Sequence, residues 1–281
     1  MTGAGSAVNP HHQPLRLLAT DLDGTLLSTA GTVSKRSRRA LASVQAAGGV
    51  VVLITGRPSR MVLGVAEELG LIGHVICSNG AATHRLSDGA AEERLSLAPE
   101  ILRRVIPLLR AAVPGIGLAL EWGDAMAAEQ SYRRLPESDG AADVPDILGV
   151  IGAGHPVLKV MARSARHAPP DLARLINACC GAEVHASTSG APFAEIAAQG
   201  VDKGAALERL CLRLGVTQGQ VIAFGDAPND LPLLAWAGYG VAVANADQAL
   251  LELADEVAPS NDADGVAVVV ERLLDVGRFG P

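Results

Sequence analysis

Five consecutive residues, Val50-Val51-Val52-Leu53-Ile54, are apolar and mostly β-branched, with no polar side chain to offer solvent on either face. A strand of that kind must be covered on both sides, the condition of a parallel sheet with helices above and below. Its neighbours agree. Leu15–Thr20 reads as a short buried strand, Ser34–Ala47 as a helix with Ser34 as N-cap and Gly48-Gly49 as its stop, and Pro58 opens a second helix that Gly70 closes. Val75–Cys77 supplies a third strand. Strand, helix, strand, helix, strand is the order of an α/β, doubly wound, mainly parallel Rossmann-like sheet. The alternation returns late in the chain: helix Lys203–Leu214 closed by Gly215, strand Val221–Phe224, then Leu231–Trp236, Gly240–Val243, Gln248–Leu253 and Gly265–Leu274.

The middle breaks the alternation. A helix at Pro99–Ala112, strands at Gly117–Glu121 and Val157–Met161, a helix at Pro170–Cys179 and strands at Glu183–Ser187 and Phe193–Ile196 are separated by turn signals such as Ser138-Asp139-Gly140 and Gly152-Ala153-Gly154. The expected organisation is a split core of residues 14–84 and 198–281, an inserted α+β domain over 85–197, and a flexible tail over 1–13. With 281 residues and 49% of them apolar, the chain has material for both cores; aromatics are only 2%, so Ala, Val, Leu and Ile must build them. The net charge of −7 argues against nucleic acid or an anionic membrane as partner, since both need a basic footprint. No apolar run is long enough to span a bilayer, and the N-terminal stretch has neither the basic start nor the apolar segment of a secretory signal, so a cytoplasmic location is expected.

The chemistry sits where strands end. In Asp21-Leu22-Asp23-Gly24-Thr25 the alternation of a strand end puts both carboxylates on one side, at the edge where open α/β sheets bind ligands. Carboxylates so close repel each other unless a cation or a shared proton intervenes. A calcium loop does not fit, because Thr25 and Leu26 occupy positions that would need Asp or Asn and then Gly. Thr55-Gly56-Arg57 follows the second strand with a hydroxyl and an approachable amide; Asp226, Asn229 and Asp230 follow a late strand, and Lys203 stands at the start of a helix. Together these are an inventory for handling phosphate with Mg²⁺, which favours oxygen ligands and few carboxylates.

The set resembles the four motifs of the haloacid dehalogenase superfamily of aspartate-nucleophile phosphatases: Asp21–Thr25 the first, Thr55 the second, Lys203 the third, Gly225–Asp230 the fourth. An insertion between the second and third motifs resembles the Cof-type subfamily with an α+β cap of the C2B kind, and Ser78-Asn79-Gly80-Ala81, Gly200–Gly204, Asn245-Ala246 and Ser260–Ala267 fit it too. Ala227-Pro228 departs from the family pattern, with the acidic positions retained. The resemblance implies a Mg²⁺-dependent phosphatase of a small phosphorylated metabolite, a sugar phosphate or similar phosphomonoester, working through an aspartyl-phosphate. It implies Asp21 as nucleophile, Asp23 as general acid and base, and Thr55 and Lys203 on the phosphoryl oxygens. Mg²⁺ would be held by Asp21, the backbone carbonyl of Asp23, and Asp226, with Asn229 and Asp230 in support; Gly56, Arg57 and Asn79 would join Thr55 and Lys203 in binding substrate. A cap that closes over the site would hinge near Ala82–Leu86 and Gln199–Gly200.

Two other readings use the same residues. A phosphomutase shares the motifs. A phosphorylated receiver module uses clustered acids with Thr and Lys, but would want an adjacent acidic pair on its first strand and about half this length. Arg57 reads equally as a substrate contact or a solvated helix start, and Asn245 as loop geometry. The basic run Lys35–Arg39 is an outer helix face, and Gly152-Ala153-Gly154 lacks the third glycine of a dinucleotide loop. Cys77, Cys179, Cys180 and Cys211 lack metal spacing and read as reduced thiols, mostly buried. His11 and His12 form an isolated pair in the tail, while His155, His167 and His185 are scattered through the insertion, one of them a candidate to face substrate.

Overall fold

A computed structural model describes residues 13–133, 142–152 and 154–280; the tail histidines His11 and His12 and the turn at Ser138-Asp139-Gly140 lie outside the described residues. The chain runs β1 (Leu17–Thr20), α1 (Lys35–Ala46), β2 (Val50–Ile54), α2 (Ser59–Glu68), β3 (His74–Cys77), β4 (Ala82–Arg85) and β5 (Ala91–Arg94). It continues through α3 (Pro99–Ala112), β6 (Gly117–Glu121), β7 (Met126–Glu129), α4 (Gln130–Arg133), β8 (Ala142–Val144), β9 (Lys159–Arg163), α5 (Pro169–Cys180), β10 (Val184–Ser187) and β11 (Ala194–Ala198). The last part is α6 (Lys203–Leu214), β12 (Val221–Gly225), α7 (Leu231–Trp236), β13 (Tyr239–Val243), α8 (Gln248–Leu253), β14 (Glu256–Ala258) and α9 (Gly265–Asp275).

The larger sheet has the order β14-β13-β12-β1-β2-β3-β4-β5, parallel from β14 to β3. Its strands alternate between two apolar layers. Leu18, Val51 and Leu53 pack with α1, α2 and α9, while Leu17, Ala19, Val52 and Ile54 pack with α6, α7 and α8. This double burial is what the unbroken Val50–Ile54 run requires. Ser34 caps α1 by accepting from Ser37 N at 3.0 Å. Pro58 lies one place outside α2, as its N-cap, and Leu69 rather than Gly70 is that helix's C-cap.

The sheet also takes in the antiparallel hairpin β4–β5, whose Ala-Thr-His-Arg and Ala-Glu-Glu-Arg sequences carry no apolar alternation. The hairpin is held from outside its own strands: Glu93 accepts from Arg209 Nε of α6 at 3.1 Å to each oxygen. The large sheet therefore continues past residue 85, where the sequence suggests that the insertion begins.

A second, six-stranded sheet has the order β10-β11-β9-β6-β7-β8, antiparallel except between β7 and β8. Val160 and Ala162 of β9, Ile196 of β11 and Leu118 and Leu120 of β6 pack beneath α3 and α5. By the period of two, Lys159, Met161 and Arg163 point the other way. The β9 ladder begins at Lys159 rather than Val157, because Val157 instead bridges to Leu97 and Leu158 N donates to Glu121 O. No helix among the described residues is long and apolar enough to cross a membrane.

Candidate active site

Asp21 follows β1 at the carboxyl edge of the large sheet, its amide donating to Phe224 O of β12. Lys203, the first residue of α6, is fixed by its neighbour Asp202, whose side chain caps the helix by accepting from Ala205 N at 2.8 Å. The Lys203 ammonium is 1% exposed; Nζ donates to Asp21 Oδ1 at 2.6 Å and to Asp230 Oδ1. Asp230 Oδ2 accepts from the amides of Asp226 and Ala227 at 3.1 and 3.0 Å, so both its oxygens are committed. Asp226 accepts from Thr25 Oγ1 at 2.6 Å.

The turn after Asp23 needs glycine. Gly24 has φ +81°, and a Cβ there would stand 2.3 Å from Asp226 Oδ2. Asn245 donates to Gly24 O at 2.8 Å and accepts from Asn261 N, so it shapes this loop.

Asp21, Asp226 and Asp230 each offer an oxygen within 4.8 Å of the others. Burial, above all, raises the Asp21 carboxyl well above the usual range; Lys203 opposes that rise, while Asp230 and Asp226 add to it. Asp226 is pushed up to about 6, again chiefly by burial, against the hydrogen bond from Thr25 and with Asp230 adding to it. The Lys203 ammonium is held the more firmly protonated: burial alone would lower its pKa, but Asp21 and Asp230 outweigh it. Three carboxylates stand here against one ammonium, a group that could hold a metal ion. With Asp230 committed, Asp21 and Asp226 have oxygens to offer it.

Thr55 follows β2, and its Oγ1 accepts from Arg57 N at 3.1 Å, which leaves the hydroxyl proton to donate elsewhere. Arg57 grips Asp23 with Nε to Oδ2 at 2.7 Å and Nη2 to Oδ1 at 2.5 Å. Asp23 thus belongs to the site through its carboxylate's pairing with Arg57, apart from the Asp21–Asp226–Asp230 cluster. Asn79, at φ +56°, donates its amide to Thr55 O and accepts from Asn229 Nδ2 at 2.9 Å.

The second sheet lies over these residues. Arg60 of α2 makes a two-pronged ion pair with Glu121, Ser59 Oγ donates to Gly123 O, and Asn229 N donates to Thr188 O. Between the sheets is a cavity of about 600 Å³ that reaches Asp21, Asp23, Thr55, Gly56, Arg57, Asp226 and Asn229 from below and Lys159, Arg163 and Glu195 from above. Asn79 and Lys203 border a narrow adjoining cleft instead.

None of His155, His167 and His185 lines the main cavity. His155 lies against Trp122, His167 pairs with Ser164 Oγ, and His185 borders the narrow cleft. The cysteines are free thiols, three of them buried. Sequence reasoning missed Thr25 as an Asp226 partner, and missed Arg60, Glu121, Lys159 and Glu195. Charged residues inside apolar strands were the available signal for the last three, but they become site residues only through the docking of one sheet on the other.

Residues 18–270 match the sequence pattern of the haloacid dehalogenase-like hydrolases. The phosphatase YwpJ of Bacillus subtilis (strain 168) is 28% identical, covering 92% of this chain and 100% of its own length. A phosphoglycolate phosphatase of Methanothermobacter thermautotrophicus is also 28% identical, over 92% of this chain and 99% of its own. The crystal structure of a haloacid dehalogenase-like hydrolase from B. subtilis superposes with a TM-score of 0.80 at 26% identity, covering 92% of this chain and all of that one.

Proposed function

This chain belongs to the haloacid dehalogenase-like hydrolases, and on that premise we propose that it is a Mg²⁺-dependent phosphatase of a small phosphomonoester, with residues 85–197 supplying most of a cap over the site. The observation that carries the reading is the buried Asp21–Lys203–Asp230 cluster, whose Asp21 lines a cavity of small-molecule size.

Asp21 attacks phosphorus in line while the ester P–O bond breaks, and Asp23 gives the leaving alkoxide its proton. Water then attacks the aspartyl-phosphate, Asp23 takes the water's proton, and Asp21 is regenerated as phosphate departs. Thr55 Oγ, the amides of Asp23 and Gly56, and Lys203 bind the phosphoryl oxygens as charge builds on them. Arg57 steadies Asp23 and borders the substrate cavity, while Asn79, at the narrow cleft beside it, supports Thr55 through the Thr55 carbonyl. Asn229 and Asp230 hold the loop that carries Asp226. Mg²⁺ bound by Asp21, the carbonyl of Asp23, and Asp226 would offset the repulsion between carboxylate and phosphate, about 4 kcal/mol per pair of unit charges at 4 Å and an effective dielectric of 20.

Two expected results test this. With MgCl₂ the purified protein releases p-nitrophenol from p-nitrophenyl phosphate, and excess EDTA silences it reversibly; full turnover in EDTA contradicts the metal's role.

Mg²⁺ should also raise the melting temperature more at pH 7.5 than at pH 5. The folded pKa of Asp226, about 6, lies above its ordinary 3.8, so without a cation the fold loses stability as pH rises through that interval. The ionised carboxylates that cause the loss are the ones that bind the ion. A Mg²⁺-induced shift equal at both pH values would remove these carboxylates from the metal site.

A further inference from the structure

We propose that Lys159 and Glu195 form the leaving-group subsite, recognising a hydroxyl of a sugar or polyol phosphate. This rests on the phosphatase reading above and adds the class of alcohol released.

Glu195 is 3% exposed and lines the cavity that holds Asp21. Its Oε1 accepts from Lys159 Nζ at 2.6 Å, and Oε2, also buried, has no hydrogen-bond partner in ordinary geometry among the described residues. The carboxylate is nonetheless held ionised. Burial works against that, and Lys159 outweighs it, with Ser189 and Asn79 near enough to help.

The other acid on this sheet's face makes the contrast. Glu121 uses both oxygens on Arg60 and takes a further bond from Gly123 N at 2.7 Å, so it is a fastener between the two sheets. A buried carboxylate oxygen with no hydrogen bond in ordinary geometry, on a residue that lines a substrate cavity, is an acceptor that a bound donor can satisfy.

Lys159 Nζ spends two of its three N–H bonds, one on Glu195 and one on Gly56 O at 2.9 Å. The pair therefore sits against the turn that carries Thr55 and Gly56. A Cβ on Gly56 would stand 3.3 Å from Glu195 Oε1. A group bound here lies close to the ester oxygen of a phosphate held by Thr55.

The chemistry of the pair selects its ligand. A hydroxyl both donates and accepts, so it can donate to Glu195 Oε2 and accept from the third N–H of Lys159. A carboxylate has no proton for Oε2 and meets its charge; an ammonium meets Lys159; an apolar group leaves both polar atoms unpaired. Sites built to bond a hydroxyl reject analogues that lack it far more strongly than apolar pockets reject an extra group.

The test compares kcat/KM on ribitol phosphate with its analogue lacking the hydroxyl next to the ester carbon. 2-Phosphoglycolate is the carboxylate comparator, and p-nitrophenyl phosphate registers turnover itself. Wild type should favour ribitol phosphate over both comparators by about tenfold to a hundredfold. In Glu195→Ala the hydroxyl preference should fall to within about threefold of unity, and in Lys159→Met it should fall in the same direction. Glu195→Gln, which keeps the shape, serves if the alanine variant shows no cooperative melt; its preference should drop by less.

An undiminished hydroxyl preference in the folded variants, or a wild-type preference for 2-phosphoglycolate, overturns the subsite and leaves the phosphatase reading intact. No release from any substrate, p-nitrophenyl phosphate included, overturns both.

Discussion

Asp21→Asn should release phosphate at least about a thousandfold more slowly than wild type, yet melt at the same temperature or higher. The two halves have different causes. An amide has no anionic oxygen with which to displace an alkoxide, so the covalent step has no nucleophile, and Thr55, Lys203 and the backbone amides can only bind the ester. Stability turns on the other property of Asp21. The residue is 4% exposed, its carboxyl shares its space with Asp226 and Asp230 and has a pKa raised well above the ordinary value, so the folded protein holds its ionised form at a cost. Asn is nearly isosteric and removes that charge, while Lys203 keeps Asp230. The readouts are phosphate release under saturating MgCl₂ and a thermal melt without metal. Turnover within tenfold of wild type would place the nucleophile on another residue.

The part of this site that was legible in the sequence is the part built on the parallel sheet. Asp21, Thr55 and Asp226 each follow a buried strand, and in a doubly wound sheet all such ends fall on one edge, so the order of elements is enough to gather them. Lys203 was legible from its place at the start of a helix and its likeness to the third motif; the structure adds that Asp202 caps that helix and that the ammonium reaches Asp21 at the same edge.

The upper wall was not legible. The strands that carry Lys159 and Glu195 were expected within a few residues, but which of their faces meets the core depends on how the second sheet docks. That docking runs through Arg60–Glu121, Ser59–Gly123 and Asn229–Thr188, contacts between residues far apart in the chain. The β4–β5 hairpin escaped for another reason. Thr-His-Arg and Glu-Glu-Arg show no period of two, and the hairpin is held by an ion pair to α6 and by the edge of an existing sheet rather than by an apolar face of its own.

Lys203→Met should cost both activity and stability, and the stability loss should grow with pH. Removing the ammonium strips phosphoryl oxygens of their fixed positive charge, for an expected loss of about a hundredfold or more in kcat/KM. It also leaves Asp21 and Asp230, both nearly inaccessible, without their counter-charge. Breaking a buried ion pair from one side costs about 3–5 kcal/mol, or about 10 °C of melting temperature in a chain this size. Lys203 itself stays charged throughout the accessible range, because its pKa is raised by the two aspartates, so its own titration adds nothing between pH 5 and pH 8. Asp226, pushed up to about 6, does titrate there, and Lys203 opposes its rise as it opposes that of Asp21. Without Lys203 the folded-state pKa values of Asp21 and Asp226 rise further above the unfolded ones, so the folded variant binds protons that the unfolded chain releases. Its stability is then present at low pH and lost as pH climbs. The gap between wild type and variant, measured by melts without metal, should therefore be narrow at pH 5 and wide at pH 8. Adding Mg²⁺ at pH 8 should recover part of it, since an ion on Asp21 and Asp226 replaces some of the missing positive charge. A gap of equal width at both pH values would mean that Lys203 acts through packing rather than charge, and the electrostatic account of this centre would fail with it.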